Sequence, residues 1–163
     1  MSSCSKTENT HTGDGSTKLF PISFKYFKDR PSEIKVAFYD DTTKSWDDQK
    51  TPDVWSLKSI TEVEFVTAPS SGQKLKIYRD TTLDPLEAEF YPGSAIRAQD
   101  LNDNFQQLQY GIQDNDCKTD QNSDAIDDIE VDIDDIKDDI ADLKTKAGVS
   151  KIKAGTNVTI DPT

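Results

Sequence analysis

The feature that most restricts the fold of this chain is an apolar seven-residue repeat in its second half. The spacing of the repeat alternates between three and four residues without a slip from Leu101 to Ala147. Such a pattern predicts a coiled coil, because it keeps one apolar stripe facing a partner helix. A continuous helix of this length would extend about 70 Å at about 1.5 Å per residue. The core positions, called a and d, are Leu101, Phe105, Leu108, Ile112, Asn115, Thr119, Asn122, Ile126, Ile129, Ile133, Ile136, Ile140 and Leu143.

The side chains at these positions predict how many helices associate. β-Branched isoleucine at both a and d packs poorly in a two-stranded coil and shifts the preference to three or more strands. Ile126, Ile129, Ile133 and Ile136 follow this rule. The sequence therefore predicts a parallel homotrimer.

The flanking charges agree with a parallel arrangement. In a parallel coil, a residue at position g faces the residue at position e, five places later, on the neighbouring helix. Each exposed pair contributes only about 0.2–1 kcal/mol, so such pairs select orientation more than they hold the coil together. The interchain pairs that this rule predicts are Asp132 with Lys137 and Asp139 with Lys144.

Three consecutive core positions, Asn115, Thr119 and Asn122, are polar and follow Gly111. Polar layers can set the register of a coil at some expense in stability. The alternative is that the helix frays or kinks here. The pattern alone leaves both open.

The repeat runs through the most acidic part of the chain. Residues 112–147 hold 13 acidic and 4 basic residues, and the whole chain has a net charge of −12. Aspartate is a poor interior helix former and like charges repel, so we expect association to be what folds this segment. The competing interpretation is a solvated helix on a globular protein, which is less favoured because no second apolar stripe is present.

The first half of the chain reads as β-rich. Apolar residues alternate with polar ones in Lys18–Phe24, Ile34–Tyr39, Ser59–Thr67 and Leu75–Arg79, with turn-forming residues between these stretches. The polar stretch Asp40–Pro52 resembles an inserted loop. Short strands punctuated in this way predict a small antiparallel β-sandwich.

These patterns divide the chain into five parts. After Pro92 the period becomes helical, with Ser94 and Asp100 as candidate caps. The final stretch alternates like a strand, and we expect it to continue into a longer fibre. The predicted parts are a flexible or partner-docked terminus (1–15), a β-sandwich head (16–92), a helix leaving the head (93–111), an acidic coiled-coil stalk (112–147) and the start of a β-structured shaft (148–163).

Composition argues against several functions. The acidic balance disfavours binding to nucleic acid or to anionic membranes, since both need Lys and Arg. The N-terminus has no apolar run typical of a signal peptide, which predicts synthesis in a cytoplasm.

No catalytic, metal-binding or cofactor-binding residues are expected. Cys4 and Cys117 are far apart in sequence and do not predict a disulfide framework. A single histidine, His11, does not supply enough ligands for a zinc site, and it is expected to be exposed to solvent. The clustered acids fit an exposed helix better than a catalytic pair, so the chain is not expected to be an enzyme.

Two stretches of the head resemble a known family. His11–Tyr26 contains a glycine turn followed by F-x-I-x-F and a tyrosine, and Ile77–Thr82 together with Gly93–Asn102 contains R-x-T-T and G-S-x-I-R-A-x-D-L-N. These are similar to the N-terminal attachment domain of tail fibre proteins from short-tailed, T-seven-like bacteriophages. The residues that carry the resemblance, as candidates for docking or structure, are Asp14, Gly15, Phe20, Phe24, Arg79, Gly93, Ser94, Arg97 and Asp100.

The resemblance implies a homotrimeric structural protein of the virion, assembled in the host bacterial cytoplasm. Its head would dock onto the phage tail at the adaptor and nozzle proteins below the portal. A distal region would bind the host surface receptor. The alternatives are a trimeric adhesin whose head binds a surface glycan, and a tailspike with a glycan-cleaving domain further along.

Two arginines in these motifs can be interpreted in two ways. A guanidinium suits a carboxylate or carbonyl at an interface with a partner. It also suits an internal ion pair between strand and helix, with Asp80 or Asp100 as the acceptor. The internal pair is the favoured interpretation for Arg79 and Arg97.

Overall fold

The computed structural model describes residues 4–93 and 95–146. The chain divides into two units, Met1–Gln121 and Asn122–Thr163. The first contains the β-rich head and the beginning of a long helix, and the second contains the remainder of that helix. Ser94, Ala147 and the predicted β-structured shaft at 148–163 lie outside the described residues.

The head is built from two antiparallel sheets, which confirms the β-rich prediction. One sheet has four strands in the order β1, β7, β3, β4, and the other has three in the order β2, β6, β5. A single 3₁₀ turn, Pro31–Glu33, precedes β3. The strands are β1 (Glu8–Thr12), β2 (Leu19–Pro21), β3 (Ile34–Asp40), β4 (Ser45–Asp48), β5 (Trp55–Ser59), β6 (Glu62–Phe65) and β7 (Lys74–Arg79).

The two sheets share one hydrophobic core. The alternation read from the sequence selects its members, since strand residues two apart point to the same face. Val36, Val63 and Ile77 are fully buried, and Phe20 and Phe65 meet edge to face with ring centroids 5.4 Å apart. The buried cluster comprises Phe20, Ile22, Phe24, Ile34, Val36, Trp55, Val63, Phe65, Leu75 and Ile77.

Two strands lie where the sequence suggested irregular chain. Residues 8–12 form β1, an edge strand paired with β7, within the part predicted as a flexible or partner-docked terminus. Residues 45–48 form β4 within the predicted inserted loop and pair with β3. Both strands lie at sheet edges and are mostly polar, with Trp46 the exception, so neither shows the apolar alternation that predicts a strand.

The expectation that His11 is exposed is wrong. This residue lies in β1 and is half-buried, with its ring centroid 5.2 Å from that of Phe20. Its Nε2 atom is buried and has no hydrogen-bond partner among the described residues.

One helix, α1 (Ala98–Lys146), follows the head. It includes Gly111 and the three polar core positions within one helix, so no break in the helix is observed there. It begins at Ala98, and Asp100 lies inside its first turn instead of capping it. No helix in the described part of the chain is long and apolar enough to span a membrane.

Candidate assembly and attachment site

The first part of α1 packs against the head through a polar face. Gln107, Tyr110, Asp114 and Cys117 are buried, and Gln121 is half-buried. These residues are three or four apart and occupy positions c and f of the heptad, on the side of the helix away from a and d. The head therefore covers the side of the helix that the predicted trimer does not need.

Arg79 is the centre of this contact. It ends β7, its side chain is fully buried, and its Nη2 lies 2.8 Å from Asp114 Oδ1. Nε also donates to Asp114, at 3.0 Å, and Nη2 donates to Tyr110 O and to Gln113 Oε1. Nη1 donates to the carbonyl of Lys25. The guanidinium also lies over the Tyr110 ring, 4.0 Å from its centroid.

The second carboxylate oxygen of Asp114 accepts hydrogen bonds from another residue of the R-x-T-T motif, Thr81. Its Oδ2 accepts hydrogen bonds from the Thr81 amide at 2.9 Å and the Thr81 hydroxyl at 2.6 Å. A buried ion pair is tolerable only when its remaining lone pairs and protons find partners, as they do here. In the R-x-T-T motif, Arg79 and Thr81 thus join strand to helix. The acceptor is Asp114, and neither Asp80 nor Asp100 takes this role.

The last residue of this motif extends the network. The Thr82 amide donates to Glu33 Oε1 at 3.0 Å, and the Thr82 carbonyl accepts from Gln107 Nε2 at 2.7 Å. Gln107 has no exposed surface. Its side-chain amide therefore supplies the hydrogen bonds that water would otherwise make to the backbone between β7 and the helix.

A disulfide closes the same contact, so the prediction that the two cysteines form no disulfide framework is wrong. Cys4 and Cys117 are bonded, with Cα atoms 5.3 Å apart and a sequence separation of 113. One turn further along, Gln121 Nε2 donates to Glu8 Oε2 at 2.8 Å. Although Glu8 lies close to both sulfurs, the sulfurs are bonded to each other and offer no thiolate for a metal.

The opposite face of α1 carries the a and d side chains. Leu101, Phe105, Leu108 and Ile112 are between 38% and 65% exposed in the single chain. The isoleucines from Ile126 to Ile140 and Leu143 are exposed to a similar degree, and the polar layers at Asn115, Thr119 and Asn122 are exposed as well. An exposed apolar stripe of this length is typical of an interaction surface.

The predicted flanking charge pairs are not tested by a single chain. Within the chain, Lys137 Nζ lies 2.8 Å from Asp134, and Lys146 lies 2.6 Å from Asp142. Both pairs are exposed, so they compete only weakly with partners on a neighbouring helix. The interchain pairs of Asp132 with Lys137 and of Asp139 with Lys144 stay predictions.

Motif residues at the start of α1 have local structural contacts. Arg97 Nε donates to Asp100 Oδ2 at 2.9 Å, and this exposed pair spans three residues. It lowers the pKa of the Asp100 carboxyl. Gly93 precedes the helix with φ of +87°, a conformation that favours glycine.

The motif near the N-terminus forms a turn followed by core residues. Asp14 Oδ1 accepts from the amides of Ser16 and Thr17, and Oδ2 accepts from the Thr17 hydroxyl. These hydrogen bonds hold the pKa of the exposed Asp14 carboxyl far below its usual value. Gly15 has φ of +78°, and Phe20 and Phe24 are buried in the core.

Most residues of the contact between head and helix were not foreseen. They are Glu8, Glu33, Gln107, Tyr110, Asp114, Cys117 and Gln121. Gln107, Tyr110, Asp114 and Cys117 are three or four residues apart along α1, but polar residues at helical spacing usually indicate a solvated face. Only the opposing R-x-T-T motif shows that this face is buried.

The same segments agree with a family comparison. The model of the family described as phage T7 tail fibre protein, N-terminal domain, matches residues 1–133. The chain belongs to this family. It is accordingly a structural component of a phage tail fibre, and so of the virion tail. No curated protein matches the chain at a significant level.

Proposed function

We propose that this tail fibre domain forms a parallel homotrimer through positions a and d of α1, and that its head anchors the fibre to the phage tail. The tail proteins contacted are the adaptor and nozzle proteins below the portal. The fibre, assembled in the bacterial cytoplasm, presents a host-receptor-binding region distal to the head.

The division of α1 into two faces is the observation that supports this proposal. The c and f face is covered by the head of its own chain, through Arg79, Asp114 and the disulfide. The a and d face has no such cover in the described residues, although it carries the large apolar side chains. Burying one such side chain contributes about 1.5–3 kcal/mol, so self-association is strongly favoured.

The mass of the full chain in solution tests the trimer. Light scattering should give three times the 18.2 kDa of one chain. The double variant Ile129→Asn Ile133→Asn should give a smaller species, because it places amides in two adjacent layers. Val131→Asn is the matched control: Val131 is also exposed but occupies position f, so its replacement should leave the mass unchanged. A monomeric wild-type chain would refute the proposal.

Tail attachment needs a separate experiment. Phage tails that lack fibres should bind the purified full chain, and excess chain should block reattachment of native fibres. If the chain instead binds a glycan array and not the tails, the head is an adhesin.

A further inference from the structure

The segment between β7 and α1, residues 82–91, is here called the linker segment. It contains neither helix nor strand and lies along the first turns of α1. The Ala88 amide donates to Asn104 Oδ1 and the Ala88 carbonyl accepts from Asn104 Nδ2, both at 2.8 Å. The Glu87 amide donates to Gln107 Oε1 at 2.8 Å. Helix side chains thus hold the backbone of the linker segment in place.

The heptad register shows which side of the helix the linker segment occupies. Asn104 and Gly111 are both g positions when Phe105 and Ile112 are a positions. Leu83 packs so closely on Gly111 that a Cβ atom there would lie 2.6 Å from Leu83 Cδ2. The linker segment therefore lies on the g side, beside the stripe that the proposed trimer buries.

The linker segment remains rich in exposed apolar side chains. Leu83, Leu86 and Phe90 are 47%, 43% and 37% exposed. It also carries Asp84 and Glu89 and no basic residue, whereas its third acid, Glu87, forms an ion pair with Arg30 of the same chain. Its exposed surface is accordingly apolar with two acidic groups, and Arg30 contacts it at Thr82 and Glu87.

The other flank of the helix carries a groove of the opposite charge. Gln106 and Gln109, at positions b and e, form one wall of a cavity of about 440 Å³ whose other wall includes Lys6, Phe24 and Lys25. The ammonium groups of Lys6 and Lys25, like the carboxylate of Asp84, have no hydrogen-bond or ion-pair partner among the described residues. The groove therefore offers two cations without a partner, beside polar side chains of the helix.

We propose that the linker segment of each chain packs into this groove of the neighbouring chain, so that the three heads form a closed ring around the first turns of α1. In a parallel coil, the g side of one helix faces the e side of the next, which brings these two surfaces together. Leu83, Leu86 and Phe90 then lose their exposed surface, and Asp84 and Glu89 approach Lys6 and Lys25. The inference rests on the proposed trimer and adds to it the packing of the heads.

Zero-length carbodiimide cross-linking of the full chain tests this arrangement. Trimers are reassembled from an equal mixture of ¹⁵N-labelled and unlabelled chains, so that a link between chains joins one heavy and one light peptide. We expect heavy–light links from Asp84 or Glu89 to Lys6 or Lys25. The double variant Leu86→Gln Phe90→Gln should lose these links while its mass stays that of a trimer. Val66→Gln, which changes an exposed apolar residue of the head outside both surfaces, should keep them.

The outcomes separate the two proposals. A trimeric mass with no heavy–light links between these residues would overturn the ring of heads and leave the trimeric stalk intact. A monomeric mass would overturn the proposed function itself. Links that persist in Leu86→Gln Phe90→Gln would show that the apolar contact is not what joins the heads.

Discussion

At the scale of single residues, a few buried polar groups decide how the head holds its helix. Arg79 uses donors on all three guanidinium nitrogens, and Asp114 accepts hydrogen bonds on both oxygens. A fully partnered buried ion pair contributes little net stability, because both charges lose their hydration. Removing one partner is nevertheless costly, because the other charge is left buried without a counterion. Arg97, in the second motif, forms its pair with Asp100 at the surface.

Replacement of Arg79 should therefore be far more damaging than replacement of Arg97. Arg79→Met keeps most of the side-chain volume but leaves the Asp114 carboxylate buried without its counterion, and we expect a loss of about 3–5 kcal/mol in the free energy of unfolding. Arg97→Met is the control and should change it little. Urea denaturation followed by tryptophan fluorescence measures both. Equal midpoints for the two variants would contradict this interpretation.

His11 should make the stability of the head depend on pH. Burial lowers the pKa of His11 below its ordinary value of 6.5, although a hydrogen bond with the backbone of Pro21 acts in the opposite direction. As the pH falls through 6.5, the unfolded chain binds a proton on His11 before the folded chain does, so the free energy of unfolding falls.

This pH dependence can be assigned to one residue, because His11 is the only histidine in the sequence. Its imidazole resonances in the folded protein should titrate below pH 6.5. The slope of unfolding free energy against pH between about 5.5 and 7 should flatten in His11→Asn, since other side chains rarely titrate there. An imidazole pKa above 6.5 would reverse the expected sign.

At the scale of elements, the two parts of α1 differ in what they contact. Its N-terminal turns are held by the head, whereas the residues after Gln121 carry the isoleucine repeat and most of the aspartates. The disulfide between Cys4 and Cys117 joins the segment that precedes β1 to the helix, and the two cysteines are 113 residues apart in sequence. A covalent link over so long a loop removes much of the conformational freedom of the unfolded chain.

Loss of this disulfide should destabilise the head by about 2–5 kcal/mol without changing its fold. Cys4→Ser and reduction of the wild-type chain should shift the urea midpoint to the same extent. The control is reduction of Cys4→Ser, which should have no additional effect. Two free thiols in the untreated chain, titrated under denaturing conditions, would show that the bond is absent.

At the scale of the whole molecule, folding of the acidic half of α1 should be coupled to association. A segment with 13 acidic and 4 basic residues repels itself, and its isoleucines gain from burial only against other copies of the chain. A process that joins several chains is favoured by mass action as concentration rises. In the proposed trimer, the stability of the helix would therefore depend on assembly.

The thermal midpoint of the helical circular dichroism signal should accordingly rise with chain concentration. The same measurement on Ile129→Asn Ile133→Asn should show a lower midpoint and a weaker concentration dependence, whereas Val131→Asn should behave like the wild type. A midpoint independent of concentration in the wild-type chain would mean that the helix is stable alone.

The sequence by itself determined the elements whose residues contrast strongly with their neighbours. Alternation in β2, β3, β6 and β7 and the heptad repeat of α1 are local patterns, because a buried face needs apolar residues at the period of the element. The motifs of the head likewise identified Arg79 and Arg97 as residues with charged partners. These features follow from short stretches of chain.

Only the tertiary structure decided the features that join distant stretches. β1 is polar throughout and is a strand because β7 pairs with its backbone. Asp114 looks like any exposed acid in an acidic helix until Arg79 and Thr81 are placed against it. Cys4 and Cys117 meet only because the head folds back on the helix. Hydrogen bonds and disulfides depend on proximity in space, which no local periodicity encodes.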